Sequence, residues 1–332
     1  MDAVLVTGGA GYVGSHIVRR LREAGREVVV LDDLSEGHRA ALDAAPLVEG
    51  DFGDPALLDR VLEGGRVRFV VHMAASCLVG ESVGDPGKYY TNNLVRSLTL
   101  LGALVRHRVE GIVFSSSAAV YGEPSSIPIT EEHPQIPTNP YGETKLACER
   151  ALAWFHRAHG TRYVSMRYFN AAGAHPRGDL GEDHEPESHL IPILLAGVLR
   201  SGPKTPIFGD DYPTSDGTCV RDYVHVLDLA EAHVLALRCL EERAVEAEAF
   251  NLGNGEGFSV REVVDAVARV TGVRPDTRPA PRRAGDPAIL VASSDRARRR
   301  LGWEPKYPAL DEIVRTAWQW HREHPNGYAD RG

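Results

Sequence analysis

The sequence predicts an α/β protein whose larger part is a doubly wound parallel sheet. Short apolar runs alternate with segments of helical period through the first half of the 332 residues, which is the pattern of successive βαβ units. After residue 175 the chain changes, because prolines and glycines crowd together and the strand-like runs become short. We therefore expect a first domain at 1–175 and a smaller, irregular α/β domain at 176–332, some of whose segments pack back on the first.

The composition argues against several classes of protein. With 43% apolar and 25% charged residues the chain is of ordinary globular type, and its formal charge of −9 argues against nucleic acid as the main partner. The basic run at 296–300 is interpreted as the solvated face of a short helix. No apolar run approaches the roughly 18 residues of a membrane span, so we expect neither a membrane partner nor a secretory leader.

The cysteines and histidines predict a reducing compartment and no metal. Four cysteines lie far apart and form no Cys-x-x-Cys pair, which fits a cytoplasmic protein. The 14 histidines are scattered, and the sequence offers no pair that we interpret as metal ligands beside an acidic partner.

The first strand and the turn after it predict a dinucleotide site. Ala3–Thr7 has the composition of a buried parallel strand, and the glycines of Gly8–Gly14 separate it from a helix that begins at Tyr12. Such a turn brings backbone close to a pyrophosphate at a helix N-terminus. The next strand ends in Asp32-Asp33, where carboxylates accept from ribose hydroxyls and repel a 2′-phosphate. We therefore predict a Rossmann-type domain that binds NAD rather than NADP.

Further strands place small and polar residues at the same edge of the sheet. The strand at 67–72 runs into Met73-Ala74-Ala75, and the strand that starts at Gly111 ends in Ser115-Ser116-Ser117. Helices are expected at 55–62 and 89–107. Because ligands of doubly wound sheets bind at the carboxyl ends of strands, these residues are expected to line one crevice.

The helix that begins at Pro140 carries a tyrosine and a lysine one turn apart. Tyr141 and Lys145 share a helix face, and an ammonium near a phenol favours the phenolate. An ordinary phenol has a pKa near ~10, so a lowered pKa would suit Tyr141 to act as a general base. Most Tyr-x-x-x-Lys pairs are solvated helix faces, but the convergence of this helix with the strand ends favours catalysis.

A series of short stretches, taken in order, carries a resemblance to a known family. They are Thr7–Gly14, Val79–Ser82, Ser115–Gly122, Pro140–Gly142 with Lys145, Arg167–Asn170, Asp216–Thr218 with Arg221–Val226, and Arg282–Asp286. On these stretches the chain resembles the extended short-chain dehydrogenase/reductases, and within them the 4-epimerases of UDP-sugars. The resemblance runs from Val4 to Trp320.

The resemblance implies a set of residue roles. Tyr141 is similar to the base that takes the proton of the sugar 4-hydroxyl, Lys145 to the residue that lowers its pKa and holds the nicotinamide ribose, and Ser117 to the residue that bonds the reacting oxygen. Cofactor contacts are implied for Gly8, Gly11, Tyr12, Val13, Gly14, Asp32, Asp33, Asp51, Phe52, Met73, Ala74, Ala75, Asn92, Lys145 and Phe169. Substrate contacts are implied for Asn170, Leu190, Phe208, Arg221, Arg283, Asp286 and Leu290.

The reaction that the resemblance implies is redox-neutral. UDP-glucose and UDP-galactose would interconvert through a 4-keto intermediate that turns in the site, with NAD bound throughout. The helices at 92–108 and 140–158 would pair across a homodimer. Where this chain departs from the family pattern, Cys77 replaces a frequent Lys, Ala119 a frequent Thr and His189 a frequent Asn. Leu290 replaces the large aromatic that excludes an N-acetyl group, so the N-acetylated pair stays open.

Three alternative functions compete with UDP-sugar 4-epimerisation. A 4,6-dehydratase needs an acid pair after the fifth strand, and Ser116-Ser117-Ala118 offers none. A UDP-glucuronate 4-epimerase or decarboxylase stays open, because the hexose pocket cannot be deduced from the sequence. A non-catalytic regulator that senses NAD is disfavoured, since it has no reason to keep Tyr141, Lys145 and Ser117 together.

Overall fold

The protein combines a seven-stranded parallel sheet with three small sheets, in a computed structural model that describes residues 2–200, 204–283 and 286–330. The strands are β1 Ala3–Thr7, β2 Glu27–Asp32, β3 Leu47–Glu49, β4 Val67–His72, β5 Gly111–Ser117, β6 Arg162–Tyr168, β7 Asn170–Ala172, β8 Thr205–Phe208, β9 Val220–Arg221, β10 Tyr223–His225, β11 Ala247–Leu252, β12 Phe258–Ser259, β13 Thr277–Ala280 and β14 Ile289–Leu290. The helices are α1 Tyr12–Glu23, α2 Pro55–Leu62, α3 Val79–Gly84, α4 Pro86–Tyr89, α5 Arg96–Arg106, α6 Pro140–His159, α7 Leu190–Arg200, α8 Val226–Glu241, α9 Val260–Thr271, α10 Asp295–Leu301 and α11 Leu310–Glu323. A stretch of π-helix, Tyr90–Val95, joins α4 to α5.

The large sheet has the strand order β11-β6-β5-β4-β1-β2-β3, and each neighbouring pair is parallel. The order reverses between β1 and β4, because β2 and β3 lie on one side of β1 and β4, β5, β6 and β11 lie on the other. Such a reversal opens a crevice at the carboxyl ends of the strands. The predicted doubly wound Rossmann sheet is therefore confirmed.

Helices cover both faces of this sheet. Successive residues of a strand point to opposite faces, and β1 demonstrates this, because Val6 belongs to one apolar cluster and Leu5 to another. The Val6 cluster includes Ile17 of α1 and Leu237 of α8, and the Leu5 cluster includes Leu58 of α2, Leu100 of α5 and Leu152 of α6. Both residues of β1 are fully buried, which explains why its sequence is apolar without alternation.

The second half of the chain contributes to both parts of the molecule. Helices α7, α9 and α11 share a third apolar cluster, and the short strands pair as β7 with β10, β8 with β13, and β9 with β12 and β14. Strand β11 and helices α8 and α10 belong instead to the large sheet and its apolar layer. These segments fit the expectation that part of the second half packs back on the first, and a domain boundary near 175 stays a prediction.

One predicted helix differs from the structure. The helix expected at 89–107 is interrupted by the π-helical turn, whose extra residue turns Asn92 and Asn93 toward Ser76. Asn93 Oδ1 accepts from the Ser76 amide at 2.8 Å, and its Nδ2 donates to the Ser76 carbonyl at 2.9 Å. Such turns recur at functional sites because they re-aim side chains.

The basic run at 296–300 lies in α10, as predicted. Arg296 pairs with Glu131 and Glu132, and Arg300 pairs with Glu248 at 3.0 Å, so the run balances acidic neighbours. Within the described part of the chain, no helix is both long and apolar enough to span a bilayer.

Candidate active site

A cavity of about 800 Å³ opens at the carboxyl ends of β1, β2, β4, β5 and β6. Segments of the second half of the chain, including the start of α7, complete its wall. It is lined by most of the residues predicted for the site, namely Gly8, Gly11, Tyr12, Val13, Gly14, Asp32, Asp33, Phe52, Met73, Ala74, Ala75, Asn92, Ser117, Tyr141, Lys145, Phe169, Asn170 and Leu190.

The glycine turn leaves no room for side chains between β1 and α1. Gly8 has φ +69°, and a Cβ there would lie 2.4 Å from the amide nitrogen of Ala74. A Cβ on Gly14 would lie 2.1 Å from the Gly8 carbonyl oxygen. The N-terminus of α1 therefore stays bare, with Gly11 as its N-cap. Backbone N–H groups at such a helix start suit a diphosphate, so the turn fits the predicted dinucleotide.

The two aspartates at the end of β2 line the cavity, and Asp32 also stabilises the glycine turn. Asp32 Oδ2 accepts from the Ala10 amide and Oδ1 from the Leu34 amide, both at 2.9 Å. Burial raises the pKa of Asp32. A carboxylate has about four lone-pair sites, so two backbone bonds leave Asp32 capacity for ribose hydroxyls. Asp33 Oδ1 accepts from the amide and hydroxyl of Ser35.

Asp51 is placed differently from the other predicted cofactor residues. Its Oδ2 lies 2.9 Å from Arg96 Nη2 and its Oδ1 accepts from the Gly53 amide at 2.7 Å, and it lies outside the described lining of the cavity. Arg96 does line the cavity and also donates to Asn92 Oδ1 at 2.5 Å. The contact of Asp51 with the cavity is therefore indirect, through Arg96.

The first turn of α6 holds Tyr141 at the end of β5. Asn139 caps the helix by accepting from the Gly142 amide at 2.9 Å, and Pro140 occupies the first turn, where its missing N–H has no consequence. Gly142 allows α6 to approach the backbone of Ala119 closely, because a Cβ on Gly142 would lie 2.5 Å from the Ala119 carbonyl oxygen. Ser117 Oγ accepts from the Ala119 amide at 3.1 Å. Ser117 and Tyr141 both line the cavity, and their side chains lie within hydrogen-bond reach of each other.

Lys145 lies beneath this pair and is almost fully buried. Its Nζ donates to the Ser115 carbonyl at 2.6 Å and lies 5.8 Å from the centre of the Tyr141 ring. Burial lowers the pKa of Lys145 to about 8. The predicted spacing of one helix turn thus brings the two side chains together.

The prediction that Lys145 gives Tyr141 a lowered pKa is wrong when only the protein's own side chains act on the phenol. Burial raises the pKa of Tyr141 well above its ordinary value, and the neighbouring Cys77 thiol adds to this, while a hydrogen bond with Ser117 opposes it. Desolvation of the phenolate is the main cause, and the ammonium of Lys145 is itself buried and donates to a carbonyl oxygen. A phenolate here needs more positive charge than Lys145 supplies.

A buried ion pair fixes α6 against the sheet. Arg167 of β6 donates from Nε to Glu149 Oε1 of α6 at 2.9 Å and from Nη2 to Oε2, so the pair is bidentate. Ser116 of β5 also donates to Glu149, and Tyr121 accepts from Arg167 at 2.9 Å. Arg167 belongs to one of the stretches that carry the resemblance, and the structure gives it a positioning role.

The comparisons with known proteins agree with this geometry. Residues 4–253 match the NAD dependent epimerase/dehydratase family.

The chain belongs to the NAD dependent epimerase/dehydratase family.

The predicted family is confirmed, and the family's dependence on NAD agrees with the predicted cofactor. A UDP-glucose 4-epimerase from Halalkalibacterium halodurans is 55% identical over 327 residues, 98% of each chain. The structure of UDP-glucose 4-epimerase from Brucella ovis in complex with NAD has a TM-score of 0.93 and 48% identity, over 96% of this chain and 98% of that one. The Bifidobacterium longum enzyme in complex with NAD⁺ and UDP has a TM-score of 0.93 and 38% identity, over 98% and 100% of the chains.

The predicted substrate residues divide into two groups. Asn170 and Leu190 line the cavity, whereas Phe208, Arg221, Arg283, Asp286 and Leu290 lie outside its described lining. Arg221 is paired with Asp286, another of the predicted substrate residues. The guanidinium of Arg283 lies 4.1 Å from the centre of the Phe208 ring. Ala284 and Gly285, quoted within the resemblance, fall outside the described residues.

Leu290 is half-buried beside the segment that follows β5. It packs on the cluster of Val120, Tyr121, Ile129 and Leu146, next to Phe169. Its predicted part in the choice between a hydroxyl and an N-acetyl group stays a prediction.

Sequence reasoning missed several residues of the cavity. Tyr168 bonds the Ser115 hydroxyl, and Cys77 lies close enough to influence both Tyr141 and Lys145. The expectation that no histidine pair stands at metal-ligand spacing beside an acid is also wrong, because Glu182, His184, Glu187 and His189 converge. The signal was present in the sequence, since two histidines five residues apart flank two glutamates, one of which is Glu187, and follow Glu182.

Proposed function

We propose that the protein interconverts UDP-glucose and UDP-galactose by oxidation and re-reduction at C4, with NAD bound throughout. One observation supports this most: Ser117, Tyr141 and Lys145 line the same cavity as the glycine turn and Asp32. A dinucleotide site and a candidate acid–base group thus share one enclosed space. The family and its relatives, among them UDP-glucose 4-epimerases, support the same reaction.

The residues at the crevice fit NAD. The bare N-terminus of α1 would hold the diphosphate, Asp32 and Asp33 the adenosine ribose, and Lys145 the nicotinamide ribose. Bound NAD⁺ would supply the hydride acceptor for C4 and a positive charge close to Tyr141. Because burial raises the pKa of Tyr141, such a charge is what the phenolate requires.

The acid–base work falls to the chain's own side chains. Tyr141 takes the proton from the 4-hydroxyl as the C4–H bond breaks, and the sugar becomes a 4-ketone. Ser117 donates a hydrogen bond to the same oxygen and holds it beside the phenol. After the sugar turns, Tyr141 returns the proton to the ketone oxygen as C–H forms on the opposite face. Protons and electrons therefore balance over one turnover.

The uridine diphosphate is assigned to the group around Arg221. Arg221, Arg283, Phe208 and Asp286 lie together in the second half of the chain. Arginine forks suit phosphate oxygens, and Asp286 is suited to the uridine ribose. Firm binding of UDP at this group with a loosely held hexose in the cavity would allow the sugar to turn.

The identity of the sugar that the protein epimerises can be tested with three substrates. Purified protein would be incubated separately with UDP-galactose, UDP-N-acetylgalactosamine and UDP-galacturonate, and the 4-epimers quantified by chromatography. Epimerisation of UDP-galactose is expected, and of the N-acetylated sugar if Leu290 leaves space. Turnover of UDP-galacturonate alone would establish the uronate alternative and overturn the proposal.

One variant separates an enzyme from a regulator. Tyr141→Phe removes only the hydroxyl, so turnover is expected to fall on the order of 10²- to 10⁴-fold, while NAD stays bound. Copurified NAD would be measured by absorbance after denaturation. A protein that only senses NAD would be indifferent to this change.

We also propose a cytoplasmic homodimer. The paired helices α5 and α6 and the π-helical turn expose Val95, Leu98 and Trp154, at 55%, 39% and 65% of their surface. Large apolar side chains grouped in this way are typical of a protein interface. All four cysteines are free, which supports a reducing compartment.

A further inference from the structure

Four ligating side chains converge in the segment before α7. They are Glu182, His184, Glu187 and His189, and one ligand atom of each lies within 4.8 Å of the others. All four come from eight consecutive residues, so the arrangement depends on the course of one loop. The reaction described above uses none of them.

The spacing of these atoms approaches that of a metal polyhedron. His184 Nδ1 lies 3.3 Å from Glu182 Oε1 and 3.7 Å from Glu187 Oε2, and His189 Nδ1 lies 3.7 Å from Glu187 Oε1. His189 Nδ1 also contacts Glu182 Oε1. A tetrahedral ion with ligands at about 2.1 Å has ligand–ligand edges of about 3.4 Å. Small side-chain adjustments would therefore bring all four atoms to one ion.

Hydrogen bonds hold the carboxylate of Glu187 and the backbone of Glu182 in place. Glu187 Oε1 accepts from the amides of Ser188 and His189 at 2.7 and 2.8 Å. The carbonyl of Glu182 accepts from the indole of Trp320 at 3.0 Å. Supporting hydrogen bonds of this kind orient metal ligands and raise affinity.

The cluster combines a buried charge with an open approach. The side chain of Glu182 is only 4% exposed, whereas that of His189 is 43% exposed. Glu182, His184 and His189 line the large cavity, which gives an ion a route from solvent. Once both imidazoles have released their protons, the two carboxylates leave the cluster with a charge of −2, which a divalent cation neutralises.

We propose that Glu182, His184, Glu187 and His189 form a binding site for a divalent transition metal of the Zn²⁺ type. Imidazole and carboxylate suit Zn²⁺, whereas Mg²⁺ prefers oxygen ligands alone and keeps several waters. The bound ion would tie the 182–189 segment to the start of α7, whose Leu190 lines the cavity. The proposal concerns binding and does not depend on the epimerase reaction.

Calorimetry with ZnCl₂ and MgCl₂ on the protein with its bound dinucleotide tests the site. Saturable binding of one Zn²⁺ per chain is expected, with no heat from Mg²⁺. His184→Ala/His189→Ala is expected to lose this binding, and the control His107→Ala/His159→Ala, which removes two histidines elsewhere, to retain it. Equal Zn²⁺ binding by the two double variants would overturn the proposal.

A second measurement avoids variants that disturb the fold. Crystals of the unaltered protein would be soaked in ZnCl₂ and anomalous data collected at the zinc edge. A peak between the two imidazoles and the two carboxylates is expected. The proposal fails if the cluster shows no peak while zinc occupies other surface sites. In that case the cluster consists of two protonated histidines paired with two glutamates.

Discussion

Glu149 and Arg167 form a bidentate ion pair, almost fully buried, that joins the helix carrying Tyr141 and Lys145 to the central sheet. Ser116 donates to the same carboxylate, so two strands, β5 and β6, hold α6 at one point. The candidate base is therefore positioned by a contact two helix turns away from it along the chain.

Loss of the negative charge of Glu149 should lower both the stability of the fold and the rate of turnover. Glu149→Gln leaves the Arg167 guanidinium buried without its counter-charge, and we expect the free energy of unfolding to fall by about 3 kcal/mol. Because α6 then shifts, kcat should fall more than KM rises. Urea unfolding and steady-state kinetics would measure these. The control Glu242→Gln removes an exposed partner of Arg238 and should change neither; equal effects would refute the positioning role.

Turnover should fall at alkaline pH. Burial lowers the pKa of Lys145 to about 8, so its ammonium is charged below that pH and neutral above it. Since the positive charge favours the Tyr141 phenolate, kcat should decrease as pH rises through about 8. In Lys145→Arg the side chain stays charged, and the alkaline decrease should disappear whatever the residual activity. A decrease that persists in this variant would assign it to another group.

A methyl group at Gly14 should abolish dinucleotide binding. Its Cβ would lie 2.1 Å from the Gly8 carbonyl oxygen, so the turn proposed to hold the cofactor must move. Gly14→Ala is expected to purify without NAD and to melt at a lower temperature. Gly197→Ala, also within a helix, meets its nearest atom only at 3.8 Å and should keep NAD. Copurified NAD in both variants in equal amounts would contradict the assignment of the turn.

Arg283 and Arg282 offer a matched pair for the diphosphate. Arg283 lies over Phe208, whereas Arg282 is bound by Asp211 and lies over Tyr212. If Arg283 binds UDP, its replacement by Ala should raise KM about tenfold or more, the loss of one or two charged hydrogen bonds, with kcat little changed. Arg282→Ala should affect KM far less. Competition assays with free UDP would compare the two, and the reverse order would move the diphosphate to Arg282.

The exposed apolar residues on α5 and α6 predict the oligomeric state. Trp154→Glu places a charge where a partner subunit would pack, so a dimer should dissociate at micromolar concentration. Val273→Glu changes a similarly exposed apolar residue outside these helices and should leave the mass unchanged. Light scattering would decide, and a wild-type monomer would end the proposal.

Much of the fold and of the candidate site follows from local sequence. The bounds of β1, β4 and α2 agree with expectation, because apolar period and strand length depend only on neighbouring residues. The glycine turn, Asp32-Asp33 and the Tyr141–Lys145 spacing are likewise short-range features. Each of these features lines the cavity.

Contacts between distant segments were decided only by the tertiary structure. Arg221 meets Asp286 across 65 residues, and β11 joins the sheet of the first half. The pKa of Tyr141 is raised because distant segments exclude water from it, an effect that no local pattern carries. The order of residues thus determined the elements and the chemical groups at their ends, whereas long-range packing determined which charges meet and which are desolvated.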